Sequence, residues 1–148
     1  MTAVIQRVIN ANVKINNSEE RSISNGLVIL LGIHKDDTEQ DISYLVDKII
    51  GLRIFNDDND KMNYSLLDIN GSVLIISQFT LCGDLRRGRR PSFINASDPK
   101  KGKVLYNDFV QMFKRKGLNV KTGEFGAHMN VNLINNGPVT FVIDTHDI

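Results

Sequence analysis

Residues Leu66-Leu67-Asp68-Ile69-Asn70-Gly71-Ser72-Val73-Leu74-Ile75-Ile76-Ser77-Gln78-Phe79-Thr80 decide the fold. Asn-Gly readily supplies the two positive φ values of a type I′ turn, so apolar segments on both sides of Asn70-Gly71 predict an antiparallel hairpin. Its second strand, residues 72–79, opens as an aliphatic run and closes on polar side chains. That ending delivers Ser77, Gln78, Phe79 and Thr80 to the rim of a sheet. It costs sheet stability, a local inconsistency of the kind functional sites show. The alternative is a Ser/Thr-bearing strand end with ordinary hydrogen bonds.

Outward from this segment, Leu27-Val28-Ile29-Leu30-Leu31-Gly32-Ile33 follows an Asn25-Gly26 turn and reads as a buried central strand. Residues 3–9 and 12–15 read as two earlier strands. Thr38-Glu39-Gln40-Asp41 resembles a capping box, and Ile42, Leu45, Val46, Ile49 and Ile50 fall on one helical face. A short strand near Arg53-Ile54-Phe55 precedes the acidic run Asn56–Lys61. Counted from Asp58, that run has Asn63 and Ile69 where a calcium loop needs glycine and a last carboxylate, so a polar hairpin tip is the reading. A second helix starts at Asp98-Pro99, buries Leu105, Phe109, Met112 and Phe113, and stops at Gly117. Residues 129–133 and 139–143 read as strands on either side of an Asn136-Gly137-Pro138 turn. No linker or repeat divides residues 1–148, which predicts one mixed α/β domain of mainly antiparallel strands with two helices.

The chain of 148 residues is 41% hydrophobic and carries a formal charge of +1. A chain of this size buries roughly 68–70% of its unfolded surface. No apolar run approaches the ~20 residues of a membrane span, and the first residues lack the pattern of a secretory signal, so a cytoplasmic protein without a membrane partner is expected. The single cysteine, Cys82, excludes an internal disulfide framework. With His34, His128 and His146 it has no spacing suited to structural zinc, and no metal is expected. His34 and His146 read as structural or exposed. Cys82 adjoins a basic loop that could lower its pKa, although a small apolar residue at a strand end is the commoner case.

The small net charge hides an asymmetry. Between Asp84 and Lys121 eleven basic side chains face three acidic ones, a local charge of +8 that leaves −7 on the rest. Such a field attracts phosphates through counterion release. A solvated helix face plus a basic loop would carry the same charges, and charge alone does not separate the two. Nucleophile elbows, Walker loops, dinucleotide fingerprints and zincin motifs are all absent.

Ser77-Gln78-Phe79-Thr80-Leu81 and Gly137-Pro138-Val139-Thr140 together resemble the two marks of the D-tyrosyl-tRNA deacylase family of D-aminoacyl-tRNA deacylases. Ile5-Gln6-Arg7-Val8, Arg89-Arg90-Pro91-Ser92-Phe93 and Gly123-Glu124-Phe125-Gly126-Ala127 extend the likeness from end to end. A sister group that removes L-alanine has Pro and Ala in place of Ser77 and Phe79, so the resemblance is to the chirality checkers. It implies a domain with β-barrel-like sheets that hydrolyses the ester of D-aminoacyl-tRNA in translation quality control, without a cofactor. Whether glycyl-tRNA is also cleaved stays open.

The resemblance further implies a homodimer in which Gly137-Pro138 of one subunit enters the other's pocket. There two carbonyls would hold the substrate ammonium and exclude an L side chain, with Arg7 bracing the turn. Phe125 and Met129 would line an adenosine pocket. For the chemistry it offers two routes. Thr80 could act as nucleophile, yet a hydroxyl without an adjacent base is weak. The favoured route uses backbone amides around Phe79 and Thr80 as an oxyanion hole, oriented by Ser77 and Gln78, with the 2′-hydroxyl of the terminal adenosine activating water. A nucleic-acid-binding module without hydrolase activity is the alternative that the basic segment alone would support.

Overall fold

The computed structural model describes residues 1–148, and its spine is β1 (Thr2–Ile15). The two strands expected over residues 3–15 are one, because the ladder with β8 passes from Val8 to Asn10 across an irregularity at Ile9 and continues to Ile15. A turn with Asn16 and Asn17 at φ of 48° and 57°, a region asparagine tolerates, folds the chain back into β2 (Glu19–Ile23). The next strand, β3 (Gly26–Gly32), pairs antiparallel with the first half of β1.

The first helix, α1 (Glu39–Gly51), begins as the sequence indicates. Thr38 N–H donates to Asp41 Oδ2 at 2.8 Å, and Ile42, Leu45, Val46, Ile49 and Ile50 are buried. Short strands β4 (Phe55–Asn56) and β5 (Met62–Tyr64) form the small hairpin with the polar tip between them.

The hairpin expected at Asn70-Gly71 does not form. Leu66 is fully buried, Ser65 N–H and Oγ donate to Asp68 Oδ2, and Gly71 N–H donates to Leu66 O, so this stretch is a compact turn. The strand that follows, β6 (Ser72–Ser77), runs parallel to β3 and to β7 (Asn119–Thr122). The physical reason lies in its composition. Residues Val73–Ile76 are buried without alternation, which suits a central strand covered on both faces. The strand also ends at Ser77, two residues earlier than expected. Antiparallel pairing thus holds around β1, and parallel pairing in the centre of the sheet.

Asp98 caps the second helix, α2 (Pro99–Arg115), accepting from Lys101 N–H at 3.0 Å, and Gly117 at φ 81° ends it. The last strand, β8 (Met129–Asp144), runs antiparallel along the free edge of β1. The two strands expected over residues 129–143 therefore do not pair with each other. Both belong to β8 and both face β1. Between them the register jumps from Asn135 opposite Val8 to Thr140 opposite Gln6, so residues 136–139 are expelled opposite Arg7.

The result is a six-stranded mixed sheet curled into a nearly closed barrel, with both helices on one face. The larger core joins those helices to the sheet through Phe109, Phe113, Leu45, Ile49, Ile29 and Ile75. A smaller core lies on the other side, around Val13, Ile15, Val28, Leu74 and Ile76. Gly26 fits where β3 meets β6, since a Cβ there would lie 1.8 Å from Ser72 O. The Met1 ammonium is buried and donates to Asp37 Oδ1 and Thr145 Oγ1, both at 2.7 Å.

Two predictions test this packing. Phe109→Ala, at a fully buried position between helices and sheet, should cost about 3–5 kcal/mol by urea denaturation. The second concerns alkaline pH. Burial pushes the Cys82 thiol up to about 11 and raises the Tyr106 phenol, whose hydroxyl donates to Ile75 O at 2.8 Å. Both are acids that the fold keeps neutral, so the unfolded chain releases their protons first. The stability they contribute is complete below pH 9, the ordinary thiol value, and drains away as pH climbs toward 11. The urea midpoint should fall over that window, and less steeply in Cys82→Ala.

Candidate functional site

At Ser77 the chain leaves the sheet. Gln78 N–H makes the last sheet bond, to Leu31 O at 2.8 Å, and residues Phe79–Cys82 form a single 3-10 turn. The hydrogen bonds of that turn begin with Leu81 N–H donating to Gln78 O. A helical start leaves its first amides without internal acceptors, and here those amides belong to Phe79 and Thr80. The Gln78 side-chain amide donates to Thr80 Oγ1 and ties the two motif residues together.

This turn borders a cavity of about 480 Å³. Ser77, Gln78 and Phe79 form one side, Ser97 and Pro99 at the start of α2 another, and Phe125, Gly126, Ala127 and Met129 the far wall. Five of the residues singled out in the sequence, Ser77, Gln78, Phe79, Phe125 and Met129, therefore share one cavity. Thr80 is exposed beside it and does not line it. Phe79 is 57% exposed and lies edge-on to Phe93 at 5.0 Å. The Phe125 ring leans on Tyr106 at 5.8 Å, and a Cβ on Gly123 would meet Met129 Sδ at 2.4 Å, so that glycine makes room for the methionine. Ser97, Ala127, Ile76 and Val131 complete the lining with no signal in the sequence, because three separate segments bring them together.

No lining residue is ionisable. The cavity offers an aromatic face, a thioether, two serine hydroxyls, a carboxamide and free backbone amides at its rim. That inventory can bind a flat heterocycle and polarise a carbonyl, and it contains no side-chain base that could activate Thr80. Cys82 is buried behind the turn with Sγ donating to Ile33 O at 3.4 Å, and its raised pKa runs opposite to what the neighbouring basic loop suggested.

Arg7, Gly137 and Pro138 lie elsewhere. Met129 sits opposite Ile15 while the expelled segment sits opposite Arg7, eight residues away along β1, a path of about 27 Å at 3.4 Å per residue. The Arg7 guanidinium is buried without a carboxylate. Its Nε donates to Asn136 O at 2.8 Å, and its Nη1 to Ile54 O at 2.7 Å and Asn56 Oδ1 at 3.0 Å. It thus clamps the base of the expelled segment to the β4 region. The Gly137–Pro138 peptide is cis. Gly137 has φ 143°, and a Cβ there would lie 2.6 Å from Val139 Cγ2. Asn135 completes the clamp, accepting from Val139 N–H at 2.6 Å and donating to Thr140 Oγ1 at 2.9 Å.

His34, Asp144 and His146 bring donor atoms within 4.8 Å of one another, and none of the three lines the cavity. Their donors are engaged: Thr2 Oγ1 bridges His34 Nε2 and Asp144 Oδ2, and the Met1 ammonium lies 3.3 Å from His146 Nδ1. The basic loop Gly83–Arg90 flanks the Phe79 side of the cavity. Within it Arg86 pairs with Asp84 at 2.6 Å and holds that carboxyl well below the usual carboxylate range.

The model of the family described as D-Tyr-tRNA(Tyr) deacylase matches residues 4–144. A D-aminoacyl-tRNA deacylase of Thermosipho africanus is 56% identical over 148 residues, covering 100% of this chain and 99% of that protein. One of Thermotoga petrophila is 54% identical over 145 residues, 98% and 97% of the two chains. A solved structure described as c-Myc DNA Unwinding Element Binding Protein superposes with a TM-score of 0.91 at 35% identity, over 98% of this chain and 99% of that one. A family match from strand β1 to the end of β8, with both motifs intact and identity above half over the full length, means that this chain belongs to the D-Tyr-tRNA(Tyr) deacylase family.

Proposed function

We propose that this protein hydrolyses the ester joining a D-amino acid to the terminal ribose of tRNA, releasing free D-amino acid and tRNA. The observation that carries the reading is a nucleoside-sized cavity without ionisable side chains, lined by Phe79 at the start of a 3-10 turn whose first amides, those of Phe79 and Thr80, have no acceptor within the turn. The terminal adenine stacks on Phe125 and contacts Met129. The ester carbonyl then faces the two amides. Water adds to the carbonyl carbon, the negative charge on oxygen is met by those N–H groups, the carbon–oxygen bond to ribose breaks, and the ribose oxygen takes up the proton. The ribose 2′-hydroxyl orients the water, and Gln78 and Ser77 hold the turn. Preorganised donors of this kind are worth roughly 10²–10³ in rate each, so no side-chain nucleophile is needed.

The chain acts as a homodimer in this reading. Gly137-Pro138 lies too far from its own cavity to reach it, and Ile9, Ile134, Phe141 and Val142 are exposed on β1 and β8 around the expelled segment, an apolar face for a second copy. Inserted into the partner's site, the segment offers its carbonyls to the substrate ammonium and leaves no space for an L side chain. Rejection of the wrong isomer then sets specificity. No helix is long and apolar enough to cross a membrane; the cytoplasm, where translation is proofread, is the place this reading assigns. A second reading, a nucleic-acid-binding module without hydrolysis, draws on the +8 segment and on the printed name of the 35%-identical neighbour.

Deacylation of D-tyrosyl-tRNA and L-tyrosyl-tRNA, measured side by side against spontaneous ester loss, separates the two. Release from the D-ester alone is expected; background rates for both, with tRNA still bound, would establish the binding module instead. Thr80→Ala, which keeps the backbone amide, should lower kcat by less than about tenfold, whereas loss of a true nucleophile costs several orders of magnitude. Gly137→Ala, which forces a Cβ into Val139, should lower kcat/KM on the D-ester at least tenfold with Tm little changed.

A further inference from the structure

We infer that a groove along α2, adjacent to the nucleoside cavity across Phe125, carries the unpaired 3′ strand of the tRNA, with Lys103 and Lys114 on its phosphates. This rests on the ester-hydrolase reading above and adds where the rest of the substrate lies. The groove encloses about 290 Å³ between one face of α2 and the segment Thr122-Gly123-Glu124. Phe125 lines both it and the cavity, so the two lie side by side with that ring between them.

Direction follows from the placement of chemical groups. The amides at the start of the 3-10 turn, at Phe79 and Thr80, mark where the ester lies, and Phe125, from a separate segment of the lining, marks where the base lies. A nucleotide seated with its ester at the amides and its base on Phe125 sends its 5′ phosphate past that ring, into the groove. The basic loop at Arg86–Arg90 lines neither the cavity nor the groove.

The groove has the features such a strand requires. Lys103, Asn107, Gln111 and Lys114 recur at spacings of four and three and share one face of α2, above a floor of Tyr106 and Val110. Lys103 and Lys114 are exposed and make no ion pair, while Lys116 pairs with Asp47 and Lys101 donates to Lys35 O. Eleven residues of helix separate the two free lysines, about 16 Å, a span of roughly two to four nucleotides. Glu124 on the far wall is the one carboxylate. It lies in the field of Arg21, whose Nη1 also donates to Thr122 O at 3.0 Å and Gly123 O at 3.2 Å and fixes that wall. Two cations a few nucleotides apart with carboxamides between them suit a backbone read for charge and not for sequence.

The test compares two substrates, D-tyrosyl-tRNA and the D-tyrosyl ester of adenosine, which lacks every preceding nucleotide. For the double variant Lys103→Ala/Lys114→Ala, the ratio of kcat/KM on the tRNA to kcat/KM on the adenosine ester should fall about tenfold through KM. The slope of log KM against log salt concentration for the tRNA should become shallower by about 0.7 per lysine. Lys103→Arg/Lys114→Arg should restore both. An unchanged ratio in the alanine variant, or a wild type that cleaves both esters with equal efficiency, overturns the groove assignment alone. A wild type that cleaves neither ester overturns the hydrolase reading, and the groove assignment with it.

Discussion

The ladder between β1 and β8, and its large register jump at Arg7, organises this molecule. β1 is paired on both edges, by β2 and β3 on one and by β8 on the other, so no edge is left where the barrel closes. The strands stay in contact on both sides of the interruption, so residues 136–139 have no freedom except outward. The guanidinium of Arg7 fills the space beneath them, satisfies the buried Ile54 carbonyl, which would otherwise lack a donor, and ties the Asn136 carbonyl to it. A planar fork with several donors fits this position, and a lysine could not span it.

The same economy governs the cavity. Parallel pairing of β6 with β3 and β7 buries both faces of β6, so the strand must run straight to its end before the chain can turn. The turn then falls on the sheet rim with its first amides uncovered. Helix α2 begins on the opposite side with Pro99, and the loop before β8 supplies Phe125 and Met129. Rigid elements thus set the positions of the groups that would contact substrate, which is the condition for electrostatic stabilisation without reorganisation.

Both helices were legible in the sequence because their determinants are local: the Thr38–Asp41 box, the Asp98-Pro99 start, the Gly117 stop and two apolar stripes. The polar ending of β6 was legible too, as a local departure from an aliphatic run. The partner of β6 was not. Asn70-Gly71 carries the signature of a hairpin, yet burial of Leu66 and the Ser65–Asp68 hydrogen bonds close the turn on itself before a strand can form. The unbroken burial from Val73 to Ile76 was the available clue to a parallel strand, and β7, with alternating exposed and half-buried positions, gave none. Likewise residues 129–133 and 139–143 look like a hairpin because a turn dipeptide separates them, and only the shared partner β1 shows that they are one strand.

The sequence by itself determined the local elements, the two motifs, the charge asymmetry and, through likeness over its whole length, the family. These are properties of neighbouring residues or of patterns readable along one dimension. The tertiary structure decided that Ser77, Gln78, Phe79, Phe125 and Met129 share a cavity, that Gly137-Pro138 stands about 27 Å of strand away from it, and that α2 lays a lysine-flanked groove beside it. Those facts depend on strand pairing between residues distant in sequence, Ser72 with Asn119 and, farther still, Ile15 with Met129. Such pairing is fixed by which faces can be buried together, a quantity no local window of sequence contains.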